Sequence, residues 1–178
     1  MNIRKNASQI CTTLIFIEPY LAEYCRNLYS CGRKDGAVRI PYTSDLYHLV
    51  WEQMSKRPDG YQSPAAGNLC ILLPTRRECD DDSRKNPLYY NYLSDRAVRM
   101  IERWLYRAFN FEFHGVMMEN EHCGRPMTHL ELVRQFIRQH GLKSITEDAL
   151  IKNFQRYRRH IFPKKVRKYK KTLKFKKI

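Results

Sequence analysis

The side chains of this chain best suited to chemistry are cations and carboxamides gathered near its end. Lys152, Asn153, Gln155, Arg156, Arg158 and Arg159 crowd one short stretch, and Lys164, Lys165, Arg167, Lys168, Lys170 and Lys171 follow it. A guanidinium grips guanine through paired hydrogen bonds and a carboxamide grips adenine in the same way, so the first set has the residue types that read base edges in a major groove. The second set suits phosphate, because each phosphate neutralised releases condensed counterions and gives sequence-independent affinity that falls steeply with salt. Tyr169 and Phe175 interleave these lysines, as rings that stack on bases or wedge into a groove would. Upstream, Arg96, Arg99, Arg103 and Arg107 recur at steps of three, four and four residues, which makes one stripe if the segment is helical. Like charges on one ridge repel by roughly a few tenths of a kcal/mol per pair. Phosphate, acidic side chains of the same chain, or plain water must offset that repulsion.

The charge is concentrated rather than spread. The chain of 178 residues has 33 Lys and Arg against 18 Asp and Glu, a net charge of +15. Residues 152 to 178 hold 13 of the basic groups and none of the acidic ones, which leaves the preceding 151 residues at only +2. A block of like charge gains nothing by folding alone and points to a polyanionic partner. Nucleic acid is expected, duplex DNA ahead of RNA, with an anionic membrane or a bare solubility tail as weaker readings.

Hydrolysis of nucleic acid would need carboxylates and histidines gathered around a metal. The candidates are Asp80, Asp81 and Asp82 in one segment and Glu119, Glu121, His122 and Cys123 in another, with His114 and His129 nearby. None has a recognised spacing, and the zinc-finger pairs that His114, His122, Cys123 and His129 would need are absent. Phosphate-loop, dinucleotide-turn and nucleophile-turn motifs are also missing. The expectation is therefore a non-enzymatic protein with no catalytic set, metal or cofactor; a metal-dependent nuclease is the alternative from another class. Six thinly spread cysteines read as buried free thiols of a reducing compartment, the cytoplasm. No apolar run approaches membrane-spanning length, so no membrane partner is expected.

These groups need elements to hold them. Thr12 to Ile17 is a short apolar segment; a helix with Pro19 in its first turn follows, with Leu21, Tyr24, Cys25 and Leu28 at helical spacing. Ala37 to Ile40 and Asn68 to Leu73 read as strands flanking a helix over Asp45 to Ser55 capped by Thr43 or Ser44. Tyr89, Tyr90 and Tyr92 either close the core or stack bases. Ser94 caps a helix from Asp95 to about Asn110 with Ala97, Ile101, Trp104, Leu105 and Ala108 inward.

Thr128 and Glu131 form a T-x-x-E capping box ahead of Leu130, Val133, Phe136 and Ile137, and Gly141 stops that helix. Ser144 and Glu147 repeat the box and open a second helix, about Ile145 to Ile161, with Leu150, Phe154, Tyr157 and Ile161 inward and Lys152, Gln155, Arg156 and Arg159 opposite. The stretch from Thr128 to Phe162 resembles the helix-turn-helix class of small DNA-binding proteins of phages and mobile elements. That resemblance implies a second helix in the major groove, a regulatory, replication or mobile-element role, and a homodimer reading two half-sites. The fold class expected is α+β and predominantly helical: a mixed portion over 1–93, a helical helix-turn-helix-like portion over 94–162, and a flexible basic tail over 163–178.

Overall fold

The computed structural model describes residues 11–29, 36–60, 66–75, 85–86 and 88–163. Asp80, Asp81 and Asp82, Cys31 and Cys79, and the cations Lys164, Lys165, Arg167, Lys168, Lys170 and Lys171 with Tyr169 and Phe175 lie outside those residues.

The architecture is α+β and mostly helical. Strand β1 (Thr12–Ile15) pairs antiparallel with β2 (Leu69–Leu72), setting Thr12 opposite Leu72 and Ile15 opposite Leu69. The expected third strand, Ala37 to Ile40, is reduced to a single parallel bridge from Val38 to Ile71, and Pro41, which has no N–H to donate, follows it directly. Asn68 clamps the end of the sheet: its amide accepts from Ile17 N at 3.0 Å and donates to Ile17 O at 2.6 Å. Gly67 approaches β1 so closely that a Cβ there would lie 2.8 Å from the Ile15 carbonyl oxygen, and only glycine fits.

Helix α1 (Pro19–Leu28) buries Leu21, Ala22, Tyr24 and Cys25. Helix α2 (Asp45–Gln53) is capped by Ser44, whose hydroxyl accepts from Leu46 N, and buries Leu46, Val50 and Trp51. Its carbonyl end is closed by a distant cation: Lys85 Nζ donates to Trp51 O, Glu52 O and Met54 O at 2.7 to 3.2 Å.

Helix α3 (Asp95–His122) is the axis of the molecule and runs well past the expected end at Asn110. Gly115 in its interior costs up to about 1 kcal/mol relative to Ala. Burial of Phe113 and Met117 outweighs that, at roughly 1.5 to 3 kcal/mol for each fully buried side chain. Ala97, Ile101, Leu105, Phe109, Phe113 and Met117 are all buried and recur strictly every fourth residue. Four residues exceed one turn by about 40°, so this row winds around the helix. Along its length it meets α1, α2, α4 (His129–Gln139) and α5 (Glu147–Ile161). One hydrophobic core therefore extends from Ile15 to Phe154 and crosses the expected boundary at residue 93 through Leu93 and Ala97.

Asn120 builds the corner between α3 and α4. Its buried amide donates to Met127 O at 3.0 Å and accepts from Met127 N at 3.2 Å, across a turn in which Gly124 and Arg125 both have positive φ. The capping box at the start of α4 forms as read, with Thr128 N and Glu131 N each satisfied by the other residue's side chain. These bonds from Thr128 hold the Glu131 carboxyl below its usual range. A polar joint ties α1, α3 and α4 together. Tyr24 Oη donates to Glu112 Oε2 at 2.7 Å, and His140 Nε2 lies 3.2 Å from Glu112 Oε1. Burial, then the Glu112 carboxylate, pushes the Tyr24 phenol far above its ordinary value.

The second capping box does not form. Thr146, not Ser144, caps α5, accepting from Ala149 N at 3.2 Å. Ser144 is engaged by Glu23 on α1 instead, so the link between α4 and α5 spans residues 140–146 and is longer than the tight turn expected. Of the cysteines described, only Cys25 is buried, its thiol pushed up to about 12 by burial; Cys11 and Cys70 are half-buried and Cys123 is exposed. Among the described residues no helix is long and apolar enough to cross a membrane.

Candidate nucleic-acid interface

Helix α5 packs on α4 and α3 through Leu150 and Phe154, which are buried, and Tyr157, which is half-buried. Tyr157 stacks on His114 of α3 with ring centroids 3.8 Å apart. Ile161, expected inward, is exposed at the last turn. The spacing of the buried residues sends Lys152, Gln155, Arg156 and Arg159 to the opposite side, and all four are exposed. Gln155, Arg156 and Arg159 make no side-chain hydrogen bond or ion pair among the described residues.

The other members of the expected set are committed within the protein. Lys152 Nζ pairs with Asp148 one turn earlier at 2.6 Å. Arg158 pairs through Nε with Glu121 Oε2 at 3.2 Å. Asn153 does not face outward as the sequence suggested. It is half-buried, its Oδ1 lies 2.6 Å from His114 Nε2, and its Nδ2 donates to Asn110 Oδ1 at 3.0 Å. An amide held at both ends by α3 is a strut between helices and drops out of the base-contacting set. Burial lowers the His114 pKa, with the Asn153 bond opposing that shift.

The arginine stripe is on α3 and is fully outward. Arg96, Arg99, Arg103 and Arg107 are exposed, and none has an acidic partner among the described residues. The nearest interior carboxylate, Glu102, accepts from Glu18 N at 2.8 Å, capping α1 rather than neutralising the stripe. Asn110 borders this ridge and Asn153 borders the Lys152–Arg156 edge of α5. The hydrogen bond between the two amides thus lays the cationic surfaces of the helices side by side.

Glu121 was visible in the sequence only as a possible metal ligand, yet it is a charge hub. Its side chain is 11% exposed and contacts Arg125 at 3.3 Å, His129 at 3.3 Å and Arg158 at 3.2 Å. His122 Nδ1 lies 2.9 Å from Met118 O. Of the described candidates Glu121 and His129 meet, but among the described residues no three such groups gather to hold a metal.

The arrangement departs from a helix-turn-helix at one end of α5. A reading helix usually presents its first turn to bases. Here that turn carries Glu147, paired with Arg134 at 3.0 Å, and Asp148. The cations Arg156, Arg158 and Arg159 lie in the second half, where Arg158 and Arg159, in the last turn, also favour the negative end of the helix dipole. No family model, curated protein or solved structure matches this chain.

Proposed function

We propose that the protein binds nucleic acid without acting on it chemically, and that its principal ligand is duplex DNA. The observation that carries this reading is the outward set Gln155, Arg156 and Arg159 on α5, which has no side-chain partner among the described residues. That face leads in sequence to nine further Lys and Arg after Ile161, with no Asp or Glu among them. In this reading α4 and α5 act as a helix-turn-helix-like hairpin. The second half of α5 approaches the groove, because Glu147 and Asp148 would repel phosphates at its start. Lys164, Lys165, Arg167, Lys168, Lys170 and Lys171 hold the backbone beyond it, and Arg96, Arg99, Arg103 and Arg107 add contacts alongside.

A selection from random duplex DNA, with an RNA pool beside it, tests the reading. Enrichment of duplex that is lost in the Arg156→Ala/Arg159→Ala variant supports it. RNA preference that survives loss of Lys152, Arg156 and Arg159 overturns the groove assignment.

A further inference from the structure

On α3 the exposed row is the counterpart of the buried one. Ile101, Leu105, Phe109 and Phe113 wind along one side at four-residue steps, and Arg99, Arg103, Arg107 and Phe111 wind along the other at the same steps. The row of guanidinium groups thus ends in a phenyl ring. Phe111 is 85% exposed, the most open of the large apolar side chains described, and no ring or cation packs on it among the described residues. Tyr106, 47% exposed, stands on one flank, and Met100 with half-buried Trp104 on the other.

We propose that this ridge binds a single-stranded polynucleotide, with phosphates on Arg99, Arg103 and Arg107 and a base stacked on Phe111. Charge selects a polyanion, because the row holds three successive guanidinium groups from Arg99 to Arg107 with no carboxylate between them and Phe111, its acidic members Asp95 and Glu119 standing outside that stretch, and Glu102 on its border is taken by the α1 cap. The ring selects among polyanions. In a duplex the base faces are covered by their neighbours, and a ring reaches one only by forcing a base step apart. An unpaired base has an open face, and aromatic stacking on it is sequence-tolerant. Since the Asn110–Asn153 bond sets this ridge beside α5, a duplex on α5 continues onto α3 as a single strand, and the ligand class becomes a tailed duplex. That last step rests on the α5 reading; the ridge itself does not.

Fluorescence anisotropy of the full chain with mixed-sequence single strands, blunt duplexes and tailed duplexes, each as DNA and as RNA, tests this. Phe111→Ala should weaken single-strand and tailed-duplex binding by about fivefold to a hundredfold, the range for one lost base–aromatic stack, with blunt-duplex binding unchanged. Arg103→Ala/Arg107→Ala should weaken all three ligands and reduce the salt slope on the single strand by about 0.7 per phosphate lost. Both variants alter exposed side chains, and unchanged circular dichroism and melting temperature confirm folding. Unchanged single-strand affinity in Phe111→Ala overturns the proposal, as does a Phe111-dependent dimer in sedimentation without bound strand. Single-strand binding that needs Phe111, beside blunt-duplex binding indifferent to Arg156 and Arg159, keeps the ridge and removes the α5 groove reading.

Discussion

Glu23 on α1 and Ser144 ahead of α5, 121 residues apart, share two hydrogen bonds: Ser144 Oγ donates to Glu23 Oε1 at 2.6 Å and Ser144 N to Oε2 at 3.1 Å. Lys143 N adds a third, to Oε2 at 2.7 Å. One carboxylate of the first helix thus fixes the approach to the last.

Glu23→Ala should destabilise the fold by about 1 kcal/mol, since two backbone N–H groups lose a charged acceptor and water replaces it only in part. Burial would raise the Glu23 pKa, but the bonds from Ser144 and Lys143, with Arg26 nearby, lower it overall. Its stabilisation is complete above its ordinary value of 4.5 and is lost as pH falls through the lower folded value. Urea titrations in acid should therefore show a flatter pH dependence for Glu23→Gln than for the parent.

Gly115 lies on the exposed side of α3 with nothing within 4 Å of the position a Cβ would take. Gly115→Ala should stabilise the protein by roughly 0.5 to 1 kcal/mol by removing backbone freedom from the unfolded chain. Thermal denaturation reads this directly, and a lower melting temperature would contradict the account of α3.

Asn153 and Gln155 are two residues apart yet should respond oppositely. Asn153→Ala leaves His114 and Asn110 without their partner between α3 and α5 and should cost about 1 to 3 kcal/mol in stability. Gln155→Ala should change stability by less than about 0.5 kcal/mol and weaken nucleic-acid binding. Paired denaturation and anisotropy measurements on the two variants separate strut from contact.

The fold favours neutral His114, because burial lowers its pKa from 6.5. Its contribution is complete above pH 6.5 and declines as acid charges the ring. Melting temperatures measured from about pH 7.5 to about 5.5 should fall less for His114→Gln than for the parent.

Deleting residues 164–178 should lower duplex affinity and flatten its salt dependence, by a slope of about 0.9 for each phosphate contact removed, while the preference selected by α5 persists. An unchanged salt slope would refute the role given to Lys164, Lys165, Arg167, Lys168, Lys170 and Lys171.

Local chemistry was legible in the sequence. Ser94 and the Thr128–Glu131 box cap helices as read, and Ser44 is the one of the two residues read as a cap, Thr43 or Ser44, that does so, because a cap needs only residues within one turn. The outward placement of Arg99, Arg103, Arg107, Gln155, Arg156 and Arg159 also followed from spacing alone. What was not legible depended on partners remote in the chain. Ser144 had the pattern of a cap, but Glu23 competes for it. Asn153 had the type of a base reader, but Asn110 and His114 hold it. The second half of α3 was hidden because Gly115 interrupts a pattern that Phe113 and Met117 sustain only by meeting α4 and α5. Phe111 continued the four-residue steps of the arginines and would have been found by extending the row.

Helix α5 is clasped along both margins, by Asn110 and His114 on Asn153 and by Glu121 on Arg158. These ties oppose rolling of the helix about its own axis to adjust its bearing to a ligand. A polymer lying across α5 and α3 must itself supply the deformation, so steps that kink readily, such as TA and CA, should be preferred over stiff A-tracts even where no side chain touches a base.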